Sequence, residues 1–381
     1  MNILIEMKSK SIAKAISLFS GAGGMDIGIE QAGFQIEADI EVDEHCCSTL
    51  RAAVERTGKT TKVIEKSIQD IDPLALMNEL GLEEGELSLL FGGPPCQSFS
   101  LAGKQLGLND LRGPLLFEII RFADVFKPKV ILLEQVKGLL SAKGPKEERG
   151  EIFELFLSRL EKIGYRPKWK VLLAADFGVA QLRERLFVVA TRGVNGYVFP
   201  DRTHAPTEEC NGIFGRKQPY VAVGDVLNDL GSPMGKIKGI THYDRMDSHV
   251  DVTPERDRER IAQVPEGSHL AAQLHLSTDL RVGLQSKDTT KYLRLHRMRP
   301  SNTLRCGEIF YHPTENRYLT PREYMRIHGY PDQYELRGPI RSRTGTVKNL
   351  DQHRQVANSV PPPVAYVLGR SIKRYIDEQN L

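Results

Sequence analysis

The chain has 381 residues, and its 52 basic and 49 acidic side chains leave a formal net charge of +3. With 40% hydrophobic and 27% charged residues it is neither largely disordered nor fibrous, and its length allows two or three domains of about 100–200 residues. The longest apolar runs, such as Val130–Leu133 and Leu186–Ala190, are far shorter than the roughly 18–20 residues of a membrane span. Five cysteines are too few, and odd in number, for a disulfide framework, so we expect a reducing, cytoplasmic location.

Strands and helices alternate along the first half of the chain. Short apolar runs that end in turn residues predict the strands, and apolar residues at helical spacing predict the helices. The predicted strands are Ala15–Phe19, Gln35–Ile40, Leu87–Phe91, Val130–Leu133, Lys168–Ala174 and Leu186–Ala190. The predicted helices are Met25–Ala32, Glu44–Arg56, Leu115–Phe126 and Glu151–Ile163. This alternation predicts a doubly wound α/β domain with a mostly parallel sheet.

The character of the chain changes after about Arg192. Residues 193–290 are rich in Gly, Pro, Asp and His and lack strong periodicity, which predicts a second, irregular domain with one exposed helix at Thr253–Ile261. Apolar residues at helical spacing then return in Pro361–Ile376, which predicts an amphipathic helix that packs back on the first domain. We therefore expect a first domain of residues 11–195 plus 350–381, a second domain of residues 196–330, and a connection of residues 331–349.

A glycine-rich turn follows the first predicted strand. Phe19 ends the strand, and Gly21-Ala22-Gly23-Gly24 lets the backbone approach a ligand closely. Asp26 stands where a dinucleotide-binding fingerprint needs its third glycine, which argues against a nicotinamide dehydrogenase. Glu41, at the end of the second strand, is well placed for ribose hydroxyls. The alternative is an ordinary strand–helix turn.

A second loop, Gly92-Gly93-Pro94-Pro95-Cys96, lies at the carboxyl end of another predicted strand, where ligands bind in open α/β sheets. Two glycines and two prolines hold Cys96 in an exposed position, which favours a nucleophile. A small buried hydrophobe is the alternative, and it suits the other four cysteines better.

Charged residues flank two further strands. Glu134 follows Val130–Leu133, where desolvation raises the pKa of a carboxyl group and keeps it available as a proton donor. Arg183 and Arg185 are two residues apart on an extended segment, so both guanidinium groups should point to the same side. A salt-bridged glutamate and a pair of surface arginines are the alternatives.

Six motifs, taken together, resemble the sequential motifs of the C5-cytosine DNA methyltransferase family. In chain order they are Phe19-Ser20-Gly21-Ala22-Gly23-Gly24, Gly93-Pro94-Pro95-Cys96-Gln97, Glu134-Gln135-Val136, Gln181-x-Arg183-x-Arg185, Arg299-Pro300-x-x-Thr303 and Asn358-Ser359-Val360. The resemblance covers the chain from about Ala15 to the C-terminus, apart from the middle domain. It implies a Rossmann-like methyltransferase domain that uses S-adenosyl-L-methionine and no metal, and a target-recognition domain in residues 196–330.

The resemblance also implies a mechanism. Cys96, as a thiolate, would attack C6 of a cytosine flipped out of duplex DNA, and protonated Glu134 would hydrogen-bond N3 and the exocyclic amine. Arg185, with Arg183, would hold the base and the glutamate in register. The activated C5 would then take the methyl group, and loss of the C5 proton and of Cys96 would complete the reaction.

The family pattern assigns further residues to the cofactor. Phe19 would face the adenine, Gly21 and Gly23 would allow close backbone approach, Asp70 would accept from the adenine amine, and Asn358 would close the methionine end. Other residues assigned to the cofactor are Gly24, Glu41, Val42, Ile71, Pro94 and Ser359. Two residues depart from the pattern: Gln135 replaces the usual Asn, and Val42 replaces an aromatic residue that stacks on the adenine, so we expect somewhat weaker cofactor binding.

Contacts to DNA should come from two places. The segment 98–113 resembles the family's mobile loop, which closes over the flipped base, and we expect Gln97 and Ser100 to touch DNA there. Residues 281–305 carry seven basic side chains and one acidic one, which favours phosphate contacts. The DNA-binding residues predicted in this second place are Arg294, Arg297, Arg299 and Thr303.

Two alternatives to DNA methylation fit the sequence less well. The tRNA-methylating branch of the family carries a Cys-Phe-Thr element that this chain lacks; the nearest cysteine context is Arg305-Cys306-Gly307. A catalytically silent DNA-binding regulator is disfavoured because Cys96, Glu134 and Arg185 are all present. With no long extension before residue 15, we expect a stand-alone prokaryotic-type enzyme, paired with a restriction endonuclease encoded nearby.

Overall fold

The computed structural model describes residues 12–95, 115–144, 146–210, 217–235, 248–285, 287–289, 291–341 and 349–381. Cys96, Gln97, Ser100 and the whole 98–113 segment lie outside these residues, so the predictions made for them stay predictions.

A seven-stranded sheet is the centre of the first half of the chain. Its strand order is β3-β2-β1-β4-β5-β8-β6, and every strand runs parallel to the others except β8, which is antiparallel to both of its neighbours. The strands up to β8 are β1 (Ala13–Leu18), β2 (Phe34–Glu41), β3 (Lys62–Glu65), β4 (Leu89–Gly92), β5 (Val130–Gln135), β6 (Arg166–Leu173), β7 (Gln181–Leu182) and β8 (Glu184–Thr191). The mostly parallel α/β sheet predicted from the sequence is confirmed.

Helices cover both faces of this sheet. Over the described parts of the whole chain, on the sheet and beyond it, the helices are α1 (Gly24–Gln31), α2 (Glu44–Thr57), α3 (Pro73–Glu79), α4 (Glu118–Phe126), α5 (Glu151–Lys162), α6 (Val223–Leu227), α7 (Glu255–Ala262), α8 (Pro321–His328), α9 (Gln352–Asn358) and α10 (Pro362–Glu378). Each predicted strand and helix is present with shifted ends; the predicted helix at Leu115 opens with a 3₁₀ turn and becomes α-helical at Glu118. The sequence patterns did not predict β3, α3, α6, α8 or α9. None of the described helices is long and apolar enough to cross a membrane.

Two apolar layers fill the space between the sheet and its helices. On one face, Ile16, Leu18 and Ile131 pack under α4 and α5. On the other face, α1 and α10 lie side by side and bury Ile29 and Leu368 together. The helices approach closely because glycines occupy their contact: a Cβ atom at Gly369 of α10 would lie only 2.7 Å from the Cβ atom of Ala32. The predicted C-terminal helix therefore packs against α1 and the central sheet.

The described part of residues 196–341 has little regular structure, which agrees with its sequence. Its strands are two residues long: β9 (His204–Ala205), β10 (Gln218–Pro219), β11 (Met234–Gly235), β12 (Val250–Asp251) and β13 (Ser301–Asn302), of which β13 pairs with β7. A third apolar cluster joins this region to the glycine turn, because Tyr330 and Tyr334 pack with Ala22 and Ile27. The division into domains stays a prediction.

Candidate active site

The carboxyl ends of β1, β2, β4 and β5 open into one cavity of about 520 Å³. Its wall brings together residues from five of the six motifs, although they are as far apart in sequence as Phe19 and Val360. The predicted site residues on this wall are Phe19, Gly21, Glu41, Val42, Pro94, Glu134, Arg183, Arg185, Asn358 and Ser359. Parallel strands make this meeting possible, since their carboxyl ends lie at the same edge of the sheet.

The glycine turn has the strained backbone that its sequence indicates. Phe19, Gly21 and Gly23 all have positive φ angles, of 55°, 56° and 72°. Gly21 lies on the cavity wall, whereas the next two glycines support the turn from behind. A Cβ atom at Gly24 would lie 2.7 Å from the hydroxyl of Tyr330, and one at Gly23 would meet the hydroxyl of Tyr334. Phe19 is the unusual member, because a non-glycine residue with positive φ is held there only by its surroundings.

Glu41 ties the glycine turn to the end of β2. Its Oε2 accepts the backbone N–H of Gly21 at 2.8 Å, and its Oε1 accepts those of Val42 and Asp43 at 2.8 and 2.9 Å. Burial raises the pKa of Glu41, and the three N–H donors oppose that rise. A carboxylate held in this way still has lone pairs free for the two hydroxyls of a ribose. Val42 is 66% exposed at the cavity mouth.

The segment after β3 lines the cavity, but not with the predicted residues Asp70 and Ile71. Among the described residues, Ser67 and Ile68 line the wall, but Asp70 and Ile71 do not. Asp70 is exposed, and Ile71 is buried in the apolar core. Arg121 of α4 holds this turn by donating to the carbonyls of Ile68 and Ile71 at 2.7 and 2.8 Å.

Glu134 lines the cavity, and the guanidinium of Arg185 lies beside it. Its Oε1 is 3.1 Å from Nε of Arg185, and only 8% of the residue is exposed. Burial raises the pKa of Glu134, while Arg185 and, more weakly, Arg183 lower it. Gly93 packs closely against it, because a Cβ atom there would lie 3.1 Å from Oε2 of Glu134.

Gln135 has a clear role despite its departure from the family pattern. Its Nε2 donates to the carbonyl of Pro94 at 2.9 Å, and its Oε1 accepts the N–H of Val136 at 2.7 Å. The side chain therefore fastens β5 to the loop that leads to Cys96.

Arg183 contacts a different partner from Arg185. It is 2% exposed and donates to the carbonyls of Ala357 and Ser359 at 2.9 and 3.0 Å. Burial lowers the pKa of Arg183 to about 9, and the neighbouring charge of Arg185 adds to this. Its hydrogen bonds go to the last turn of α9 and to the residue that follows it, while Arg185 pairs with Glu134.

Other side chains lie close to that segment. Asn358 is exposed at the cavity wall, and its Oδ1 accepts from the thiol of Cys306 at 2.7 Å. Cys46 and Cys47 are buried, as a small hydrophobe would be, but Cys306 is only half-buried. The described residues contain no group of His, Cys, Asp or Glu able to hold a metal ion.

A buried pair of carboxyl groups, which the sequence did not reveal, lies under the glycine turn. Asp26 of α1 and Asp39 of β2 are 5% and 3% exposed. Ser17 of β1 lies opposite Asp39 in the register of the two strands and close to Asp26. Burial raises the pKa of Asp26 to about 6 and that of Asp39 well above its ordinary value. The two groups can form a hydrogen bond with each other only if one of them keeps its proton.

The residues predicted to contact DNA differ in their exposure, and Arg294 is buried. Arg294 is 8% exposed, and its guanidinium donates to the carbonyls of Pro313, Ile261 and Val264 at 3.0–3.2 Å. The prediction that Arg294 contacts phosphate is therefore corrected: its charge faces inward and satisfies buried backbone groups.

The other predicted contacts are at the surface. Arg297 is exposed and forms a two-point ion pair with Glu266, with N···O distances of 3.0 and 2.9 Å. Arg299 is exposed too, and Thr303 donates its hydroxyl to the carbonyl of Leu182 at 2.9 Å. Thr303 thus links the basic segment to β7, beside the arginine motif.

Comparison with known proteins agrees with this geometry. A family model described as C-5 cytosine-specific DNA methylase matches residues 13–374. The type II methyltransferase M.PspPI of Psychrobacter sp. is 33% identical over 377 residues, covering 95% of this chain and 79% of the relative. The type II methyltransferase M.FnuDI of Fusobacterium nucleatum is 33% identical, and 96% of each chain is covered. A solved structure described as a prophage-encoded DNA modification methyltransferase from E. coli shares the fold, with a TM-score of 0.67 at 19% identity, over 96% of this chain and 99% of that one.

Proposed function

The chain belongs to the C-5 cytosine-specific DNA methylase family, and from that membership we infer how its cavity carries out the reaction. It is a DNA cytosine-5-methyltransferase, and the two curated relatives compared above are type II methyltransferases. A methyltransferase of this family uses S-adenosyl-L-methionine.

The cavity wall suits this cofactor at three points. Glu41 offers carboxylate oxygens for the ribose, and Gly21 leaves room for close backbone approach. Asn358 is exposed and also lines the cavity, where it would hold the methionine end. When bound, the cofactor supplies an electrophilic methyl group. We place Phe19 and Ile68 at the adenine rather than Asp70, because only the first two line the cavity.

Glu134 carries the proposal for the base. It is buried at the cavity floor, 3.1 Å from Arg185, and burial favours its protonated form. A carboxylic acid in this position can donate to N3 of a cytosine and draw charge out of the ring, which a carboxylate cannot do. Arg185 fixes the orientation of the acid, and Arg183 positions the neighbouring chain segment.

Cys96 is the proposed nucleophile. Its sulfur forms a bond to C6 as Glu134 protonates N3, which leaves C5 electron-rich and able to take the methyl group. A base, for which a water molecule suffices, then removes the C5 proton, and the Cys96 thiolate leaves C6. N3 returns its proton to Glu134, which restores the neutral aromatic ring and the acid. Gln135 supports this step at a distance, because its bond to Pro94 holds the start of the cysteine loop.

We assign sequence recognition to residues 196–330, with phosphate contacts from Arg297 and Arg299 and contacts near the flipped base from Gln97 and Ser100. Pairing with a restriction endonuclease, and a cytoplasmic location alongside the DNA, are further parts of the proposal.

The test uses purified full-length protein, duplex DNA of mixed sequence and cofactor with a labelled methyl group. We expect label in 5-methylcytosine, identified by bisulfite sequencing, and a loss of about 10³-fold or more for Cys96→Ser. Cys210→Ser is the matched control and should keep full activity, because Cys210 lies outside the cavity wall. No methylated cytosine with the wild type, or undiminished methylation with Cys96→Ser, would contradict the mechanism.

A further inference from the structure

A chain of three hydrogen bonds connects four residues that are distant in sequence. The N–H of Leu304 donates to Oε1 of Gln181 at 3.0 Å, and Nε2 of Gln181 lies 2.9 Å from Nδ1 of His328. Nε2 of His328 then lies 3.0 Å from the carbonyl of Ser359. Gln181 and His328 are both fully buried.

Only one arrangement of protons satisfies this chain. The carbonyl of Ser359 can only accept, so Nε2 of His328 carries the proton and Nδ1 must accept. Gln181 therefore turns its amide N–H₂ toward the histidine and its oxygen toward the N–H of Leu304. Burial, aided by the charge of Arg183, lowers the pKa of His328, which keeps the ring neutral as the chain requires.

The carbonyl of Ser359 is also an acceptor for Arg183, at 3.0 Å. His328 and Arg183 thus hold the same oxygen from two sides, and Arg183 holds the carbonyl of Ala357 as well. Asn358, which lies on the cavity wall, is the residue between these two carbonyls.

We propose that His328 is a positioning residue: through Ser359 and Gln181 it sets the cofactor-facing segment 357–360 against the strand segment that carries Arg185. This inference rests on the proposed function of the cavity. Neither the histidine nor the glutamine lines the cavity itself, so their effect on the cofactor would be transmitted through the backbone.

The test compares His328→Leu with His328→Gln in the full-length protein. Leucine removes both hydrogen bonds, whereas glutamine can donate its amide N–H to Ser359 and accept from Gln181 with its oxygen. His312→Leu is the control, because His312 is also buried but accepts from the backbone N–H of Glu315, far from the cavity wall.

The main measurement is the dissociation constant of S-adenosyl-L-homocysteine, by calorimetry without DNA. We expect His328→Leu to weaken binding about tenfold and to raise the KM for S-adenosyl-L-methionine by a similar factor. The KM for DNA should change little. His328→Gln should restore the affinity to within about threefold, and His312→Leu should leave it unchanged even if the Tm falls.

Wild-type affinity in His328→Leu would overturn the proposal and leave His328 a purely structural role. If that variant does not fold, Gln181→Leu removes the other end of the same chain, and its wild-type affinity would equally overturn the proposal. A wild type that methylates DNA while His328→Leu binds normally contradicts this inference alone. A wild type that binds the homocysteine product but never methylates cytosine contradicts the proposed function alone.

Discussion

Replacing Asp39 by asparagine should stabilise the protein at neutral and alkaline pH. Asp39 and Asp26 are buried together, and the pKa of Asp26 is raised to about 6 from an ordinary value of 3.8, chiefly by desolvation. That difference corresponds to about 3 kcal/mol of free energy of unfolding lost once Asp26 ionises in the folded protein. Asp39→Asn removes the like charge and supplies an N–H₂ donor to Asp26 at every pH.

The sign of the pH dependence follows from the raised pKa values. Between pH 3.8 and about 6 the folded protein binds more protons at this pair than the unfolded chain, so stability is full below that window and falls as the pH rises through it. The higher pKa of Asp39 extends the fall to higher pH. Other charged groups that face the pair are Glu30 and Lys59, and the hydroxyls of Tyr330 and Tyr334 lie nearby.

The assay is urea unfolding of the protein without cofactor at pH 5 and pH 8. We expect Asp39→Asn to raise the free energy of unfolding by about 1–3 kcal/mol at pH 8 and much less at pH 5. Asp124→Asn, at an exposed position of α4, is the control and should change neither value. A variant that is no more stable than the wild type at pH 8, or equally stabilised at both pH values, would refute the reasoning.

Two further predictions concern packing and DNA binding. Arg294→Met should lower the free energy of unfolding by about 2–3 kcal/mol, since three carbonyls lose their donor. It should leave the salt dependence of DNA affinity unchanged. Arg297→Gln should instead reduce the slope of log affinity against log salt concentration by about one released ion. Filter binding over a salt series separates the two, and a lowered slope for Arg294→Met would restore its assignment to phosphate. Gly28→Ala should lower the free energy of unfolding by about 3 kcal/mol or more, because its Cβ atom would lie 2.5 Å from a backbone nitrogen of α10. Gly307→Ala, with open space around its Cβ position, is the control in the same urea titration, and an equal effect of the two would argue against close contact of α1 and α10.

The arginine motif shows where a sequence pattern stops being informative. Two residues apart on one regular strand, Arg183 and Arg185 would face the same way. In the structure β7 ends at Leu182 and β8 begins at Glu184, and the N–H of Arg183 bonds to the carbonyl of Gln181 only two residues before it. Because the strand is broken there, one guanidinium points to Glu134 and the other to the chain at Ser359.

Charge is equally ambiguous in the basic segment. The sequence shows seven basic residues in 281–305. It does not distinguish an arginine exposed to solvent from one whose guanidinium donates to buried carbonyls. Arg294 is structural because three backbone oxygens from two other segments converge on it. Asp70 is absent from the cavity wall because its turn presents Ile68 instead. Neither outcome follows from local periodicity.

The α/β fold and the kinds of residue at the site follow from the amino-acid sequence, because apolar runs, glycine turns and polar residues at strand ends are local features. The placement of Glu41 and Glu134 at one edge of the sheet follows too, since parallel strands bring their carboxyl ends together. Three contacts depend on the folded structure: the pairing of Arg185 with Glu134, the meeting of Asp26 with Asp39, and the hydrogen bond from His328 to Ser359. Those contacts join residues from separate elements, and their geometry depends on how whole helices and strands pack rather than on any pattern within one of them.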